Sequence, residues 1–245
     1  MQAAITQCQY LMYLQPKYSI EKNEITGAEA LVRWRHPERG MIYPDQFIPI
    51  LEENGFIRKV DYYIWEEACR FIRRCSDEGL PACPISVNVS RAHLQDDKCI
   101  RVLHDMIERN GISRQLLELE ITETVDNEQV SRKAYQLKEE GYRLLMDDFG
   151  SGYSSLNILL ETPFDLIKLD KKFMENMMLS DKGRLILEQV VAMANKLGLE
   201  LLAEGVETKE QVELLRSIGC DQVQGYYYAK PMPAEEFYTL LKEQN

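Results

Sequence analysis

Leu116-Leu117-Glu118-Leu119-Glu120-Ile121, a helix-length segment ending at Gly141, and then Arg143-Leu144-Leu145-Met146-Asp147 make one strand–helix–strand unit. In the first strand, acids alternate with aliphatic residues, the period of a ribbon with two different faces. The segment between carries Val130, Ala134 and Leu137 at helical spacing and opens with Asp126 and Gln129 in a capping relation. Gly141 stands where a helix end needs a left-handed residue. A crossover of that length joins parallel strands.

The same rhythm recurs around Gly79, Gly111, Gly198 and Gly219. Before Gly198, Ile186, Val190, Met193 and Leu197 are expected to form a buried stripe. Before Gly219, Thr208 and Gln211 form a capping-box pair, followed by inward Val212, Leu215 and Ile218. The expected strands are 10–15, 28–34, 85–89, 116–121, 143–147, 166–170, 199–204 and 221–226. The turn around Lys22 to Gly27 is too short for a parallel crossover, so the first two strands should be antiparallel. The expected fold is α/β: a TIM-like (β/α)8 barrel whose first strand is antiparallel to its neighbour. No Pro-rich linker or charge block divides the 245 residues, so 1–245 reads as one domain.

A formal charge of −11 argues against a large nucleic acid as partner. The six cysteines show no C-x-x-C pair and no zinc-like spacing with histidine, and read as reduced thiols of a cytoplasmic protein. No run of sequence is long and apolar enough for a membrane span. The short lead-in before the first strand is compatible with excision from a longer, even membrane-anchored, signalling protein. His36, His93 and His104 suggest no metal site or relay, and Tyr226 to Tyr228 read as packing at the barrel end.

Alternation puts Glu118 with Glu120, Lys168 with Asp170, and Ser86 with Asn88 on inward faces. Polar residues gather at strand C-termini: Glu29, Asn88, Glu120, Asp147 with Asp148, Lys168, Glu204 and Gln224. In β/α barrels that end carries the active site. So many carboxylates at one mouth require cations, and an all-oxygen donor set without His or Cys suits Mg²⁺ or Mn²⁺. Adjacent Asp147 and Asp148 at a turning strand end suit a two-ion hydrolytic site.

The chain resembles the EAL-type cyclic di-GMP phosphodiesterase domains along nearly its whole length. The motifs in order are Gln15-Pro16, Glu29-Ala30-Leu31-Val32-Arg33-Trp34, Asn88-Val89-Ser90 and Glu120-Ile121-Thr122-Glu123. Asp147-Asp148-Phe149-Gly150-Ser151-Gly152-Tyr153-Ser154-Ser155, Ile167-Lys168-Leu169-Asp170, Ala203-Glu204-Gly205-Val206-Glu207-Thr208 and Gln224-Gly225-Tyr226 follow. Leu14, where an aromatic is common, and Ser151, where Thr is common, are departures that remove no ligand.

The resemblance implies a first ion on Glu29, Asn88, Glu120 and Asp147, and a second on Asp147, Asp148 and Glu204. It makes Lys168, Glu204 and Gln224 catalytic, with Lys168 holding the attacking water. Gln15 and Arg33 fall to the substrate. The Asp148-to-Ser155 loop, with Gly150, Ser151 and Gly152, is expected to couple the second ion site to dimer contacts, braced by Glu123; Glu207 is placed with this regulatory set. The implied activity is hydrolysis of cyclic di-GMP to linear 5′-pGpG with Mg²⁺ or Mn²⁺, inhibited by Ca²⁺, in a homodimer with an upstream sensory or GGDEF domain in the parent protein. Two other readings remain open: a binding module that holds cyclic di-GMP without cutting it, and an enolase-type barrel with Lys168 as carbon-acid base.

Overall fold

The computed structural model describes residues 1–96, 98–122, 128–151 and 156–244. Its strands are β1 (Tyr10–Ser19), β2 (Glu24–His36), β3 (Gly40–Ile42), β4 (Ile85–Asn88), β5 (Leu117–Thr122), β6 (Leu144–Phe149), β7 (Leu166–Leu169), β8 (Glu200–Ala203), β9 (Gln222–Val223) and β10 (Met232–Pro233). The sheet order is β10-β1-β9-β8-β7-β6-β5-β4-β2-β3, and the β1–β2 pairing closes the barrel. From β2 through β4–β9 neighbours are parallel, whereas β1 runs antiparallel to both β2 and β9. The eight-strand barrel with its reversed first strand is the one the sequence predicts. β3 and β10 are two short edge strands that the sequence reading lacked.

The five glycines expected at helix ends all adopt positive φ, and Thr208 and Gln211 form the predicted capping box. Leu117, Leu119 and Ile121 belong to the layer between barrel and helices, together with Ala134 and Leu137 of the following helix. Asp126 lies outside the described residues. β2 is much longer than expected: Ala28 to Ala30 pair with β4, and beyond them the strand continues past the barrel rim, paired with β1 and β3. Glu29 is therefore mid-strand yet level with the mouth.

Two expectations are corrected. In the helix Asp181–Leu197 the buried residues are Gly183, Leu187, Val191 and Ala194. In the expected stripe Ile186 and Leu197 are exposed, and Val190 and Met193 are only half-buried. Gly183 sets this rotation, because a Cβ there would collide with the backbone of Met177. Asp170 does not share the mouth with Lys168. It lies one residue beyond β7 and caps the helix Lys171–Met178, accepting from the amides of Lys172 and Phe173.

Candidate active site at the barrel mouth

Lys168 is the hub of the site. Its side chain rises from β7 inside the barrel and is 1% exposed. Nζ lies 2.7 Å from Glu120 Oε2, 2.8 Å from Asp147 Oδ1, 2.8 Å from Glu204 Oε1 and 3.4 Å from Glu29 Oε2. Each acid comes from a different strand or strand end: β5, β6, β8 and β2. Gln224, just past β9, donates through Nε2 to Glu29 Oε2 at 2.6 Å and to Gln15 Oε1 at 3.1 Å. Gln15 stands opposite Glu29 in the β1–β2 register.

Asp147 and Asp148 are neighbours in sequence, and a regular strand would send them to opposite faces. The β6–β7 register is broken between Met146 and Phe149, and Asp148 has φ +59°. This bulge turns both carboxylates toward the mouth. Asp147, Asp148 and Glu204 each bring an oxygen within 4.8 Å of the others. That is the trio expected to hold a second ion. Beyond it, Gly150 has φ +92°, and a side chain there would strike the ring of Phe173, so only glycine lets the loop leave at this angle.

Asn88 ends β4 beside Glu120, with an exposed side chain. Arg33 is half-buried between the rings of Tyr13 and Tyr43, 5.6 and 5.7 Å from their centroids. Glu207 pairs with Lys171 at 2.5 Å on the rim. Ser151 follows the Asp148 turn, its amide bonded to the Asp148 carbonyl. Glu123 and Gly152 lie outside the described residues.

Two cavities open at this end and share Leu31. An acid-lined cleft of about 320 Å³ holds Glu29, Asp147, Asp148, Lys168, Glu204 and Gln224. A second cavity of about 670 Å³ lies across the Glu29-Ala30-Leu31 strand, walled by Ile48, Ile64, Trp65, Asp61 and Asn88. Asp61 Oδ2, 3.1 Å from His93 Nε2, has no hydrogen-bond partner among the described residues. His93 is buried between the rings of Tyr62 and Trp65.

The donor set fits divalent cations. Glu29, Glu120, Asp147, Asp148 and Glu204 against Lys168 leave 5 − 1 = 4 negative charges, the amount that two divalent ions cancel. Glu120 Oε1 and Gln224 Oε1 are buried without hydrogen-bond partners among the described residues. Without cations, Glu29, Asp148 and Glu204 are pushed toward their neutral forms. Burial pushes Glu204 up to about 8 and Glu29 up to about 6 although Lys168 opposes it. Burial, then Asp147, push Asp148 up to about 6. At Glu120, burial is overcome by Lys168 and Lys17, and its pKa falls. Burial also works against the charge on Lys168, but Asp147, Glu120, Glu204 and Glu29 hold its pKa well above the ordinary value.

Glu29, Asp148 and Glu204 bind protons more tightly folded than unfolded, so metal-free stability should fall as pH rises from about 5 to about 8. Lys168 adds no slope in this window, because the stabilisation from its raised pKa is fully present below its unfolded value near 10.5 and is lost only above it. Mn²⁺ should raise Tm most at pH 8, where protons no longer do its work. Thermal melts at four pH values, with chelator and with Mn²⁺, measure this. A Mn²⁺ shift that is equal at all four would refute it.

Sequence and structure comparisons agree on what this geometry belongs to. The EAL domain family model matches residues 1–231. The chain belongs to the EAL domain family. It is 36% identical over 98% of its length to the signaling protein YkoW of Bacillus subtilis, covering 30% of that protein. It is equally identical over 98% of its length to the cyclic di-GMP phosphodiesterase NbdA of Pseudomonas aeruginosa, covering 31% of it. The chain thus spans under a third of either relative. The structure "PaMucR Phosphodiesterase, c-di-GMP complex" superposes with a TM-score of 0.90 at 33% identity, over 96% of this chain and 97% of that one.

Sequence reasoning missed Lys17 and Arg143 as partners of the inward acids. Lys17 Nζ donates to Glu118 Oε2 at 3.0 Å, and Arg143 approaches the other Glu118 oxygen at 3.4 Å. The signal was there in part: Lys17 shares the strand face of Gln15, provided β1 is read through Pro16.

Proposed function

We propose that this EAL domain is a metal-dependent phosphodiesterase that hydrolyses cyclic di-GMP to linear 5′-pGpG. The observation that carries the reading is the cage that Glu29, Glu120, Asp147 and Glu204 form around Lys168, with Asp148 beside it. Glu29, Asn88, Glu120 and Asp147 would hold one Mg²⁺ or Mn²⁺, and Asp147, Asp148 and Glu204 the other. When bound, such ions supply Lewis acidity and a nucleophile competent at neutral pH.

The chain's own residues do the rest. The Lys168 ammonium offers N–H bonds to an oxygen at the cage centre and so orients the attacking water. Glu204, at the edge of the same cage, takes the proton as the water oxygen bonds to phosphorus. The P–O3′ bond breaks, and solvent protonates the departing O3′. Gln224 orients water through Oε1, which has no partner among the described residues. Arg33, between the rings of Tyr13 and Tyr43, suits a phosphate oxygen.

Incubation with cyclic di-GMP and Mg²⁺ or Mn²⁺, resolved by chromatography, tests this. Production of pGpG, abolished by Glu29→Ala, is expected. Tight binding without turnover in either metal would favour the receptor reading instead.

The second cavity supports a nucleobase-bearing substrate. It has room for a base, is largely apolar and adjoins the cleft, and the half-buried Asp61 carboxylate on its wall suits the N–H edge of guanine. Asp61→Ala should raise KM for cyclic di-GMP by about tenfold or more and leave kcat within a few-fold. A drop in kcat at unchanged KM would show that Asp61 does something else.

The outward apolar row of the Asp181–Leu197 helix, with Leu185, Ile186 and Leu197 exposed, supports a homodimer. Among the described residues no helix is long and apolar enough to cross a membrane. Since the relatives are about three times as long as this chain, we assign the sensory or GGDEF partner domain, and the cytoplasmic location of this barrel, to a longer parent protein.

A further inference from the structure

Beneath the mouth, a second buried lysine reaches the acid cage from the opposite side. Lys17 is 2% exposed and sits on the reversed strand β1. Its Nζ bonds Glu118 Oε2 at 3.0 Å and stands 3.6 Å from Glu120 Oε1. Glu118 is held in turn by Arg143, which pairs with Glu200 at 2.7 Å on the outer side. Charges therefore alternate from the barrel exterior to the mouth: Glu200, Arg143, Glu118, Lys17, Glu120, Lys168.

Glu120 has a lysine at each end of its carboxylate. Lys168 takes Oε2 at 2.7 Å, and Lys17 faces Oε1. The fold does not need charge here for filling, since Leu145, Leu166 and Leu202 supply an apolar cluster elsewhere in the barrel. A buried ion network of this kind gives little or no stability over an apolar replacement. β1 breaks register just after Lys17, between it and Tyr18, and Gly27 lies opposite Lys17 on β2.

We propose that Lys17 is a positioning residue for the reaction, holding Glu120 in the orientation that binds a divalent cation, with Glu118 and Arg143 fixing Lys17 in turn. This rests on reading the mouth as a divalent-cation site. Lys17 itself touches neither substrate nor reacting atoms.

The test is Mn²⁺ binding without nucleotide, followed by the electron paramagnetic resonance of free Mn²⁺. Lys17→Met alone strands Glu118 and risks misfolding, so the informative variant is Lys17→Met with Glu118→Leu, which removes both charges and leaves Arg143 on Glu200. It should melt no lower than the wild type and bind Mn²⁺ about tenfold more weakly, the usual scale for losing a group that orients a ligand. Lys17→Arg should recover most of the affinity. Wild-type or tighter Mn²⁺ binding by the folded double variant would overturn the inference while leaving the cation site intact. Failure of the wild-type chain to bind Mn²⁺ would instead overturn the reading beneath it, and this inference with it.

Discussion

Lys168→Met is expected to abolish measurable hydrolysis of cyclic di-GMP, a loss of about three orders of magnitude in kcat, and to make the fold dependent on added metal. The ammonium lies within 3.4 Å of oxygens from Glu29, Glu120, Asp147 and Glu204. Removing one partner of a buried ion network typically costs about 3–5 kcal/mol, because the remaining charges lose their compensation. The metal-free variant should melt well below the wild type at pH 8, and Mn²⁺ should restore much of the difference. Calorimetry with and without Mn²⁺ tests the stability half, and product chromatography the catalytic half. A metal-free Tm equal to wild type would mean that Lys168 does not balance the cage.

Asp147→Asn should act with the opposite sign on stability. Asp147 is the acid shared by the two expected ion sites, and its charge helps raise Glu29, Asp148 and Glu204. With that charge gone, the metal-free protein should melt higher at pH 8, since the other acids ionise against less repulsion. Metal affinity should fall by at least about 100-fold, beyond the usual loss from disturbing an outer group, and turnover should vanish with it. Isothermal titration with Mn²⁺ and a melt in chelator give both numbers. A variant that loses activity but keeps both wild-type metal affinity and wild-type metal-free stability would show that Asp147 acts on substrate instead. The opposite stability signs at Lys168 and Asp147 would be hard to obtain from generic disruption of a core.

How far the sequence carries this site can be judged residue by residue. Strand alternation put Glu120 and Lys168 inside the barrel, because a period-two pattern of charge and aliphatic residues has no other satisfied arrangement. The short turn before β2 decided the reversed first strand. Where the reading failed, local pattern met a constraint from elsewhere in the chain. Ile186, Val190, Met193 and Leu197 have the spacing of a buried stripe, and so do Gly183, Leu187, Val191 and Ala194. Gly183, which carries no hydropathy signal, decides between them through its close approach to Met177. Asp170 reads as a strand residue until the strand ends one position early and its carboxylate becomes a helix cap. Lys17 was lost because Pro16 looks like a strand breaker, yet β1 pairs with β2 on both sides of it. Asp147 and Asp148 were placed together at a turning strand end. The positive φ that turns both to one side is a backbone fact no residue pattern states.

The central claim is that the cage around Lys168 hydrolyses cyclic di-GMP only with a small divalent ion in it. The direct measurement is pGpG formation by protein stripped with chelator, then supplied with Mg²⁺, Mn²⁺ or Ca²⁺ in turn. The account predicts no product from the stripped protein, product with Mg²⁺ or Mn²⁺, and none with Ca²⁺, which should suppress the Mg²⁺ reaction when added to it. Undiminished hydrolysis after stripping, or cyclic di-GMP left intact with every ion, would contradict it.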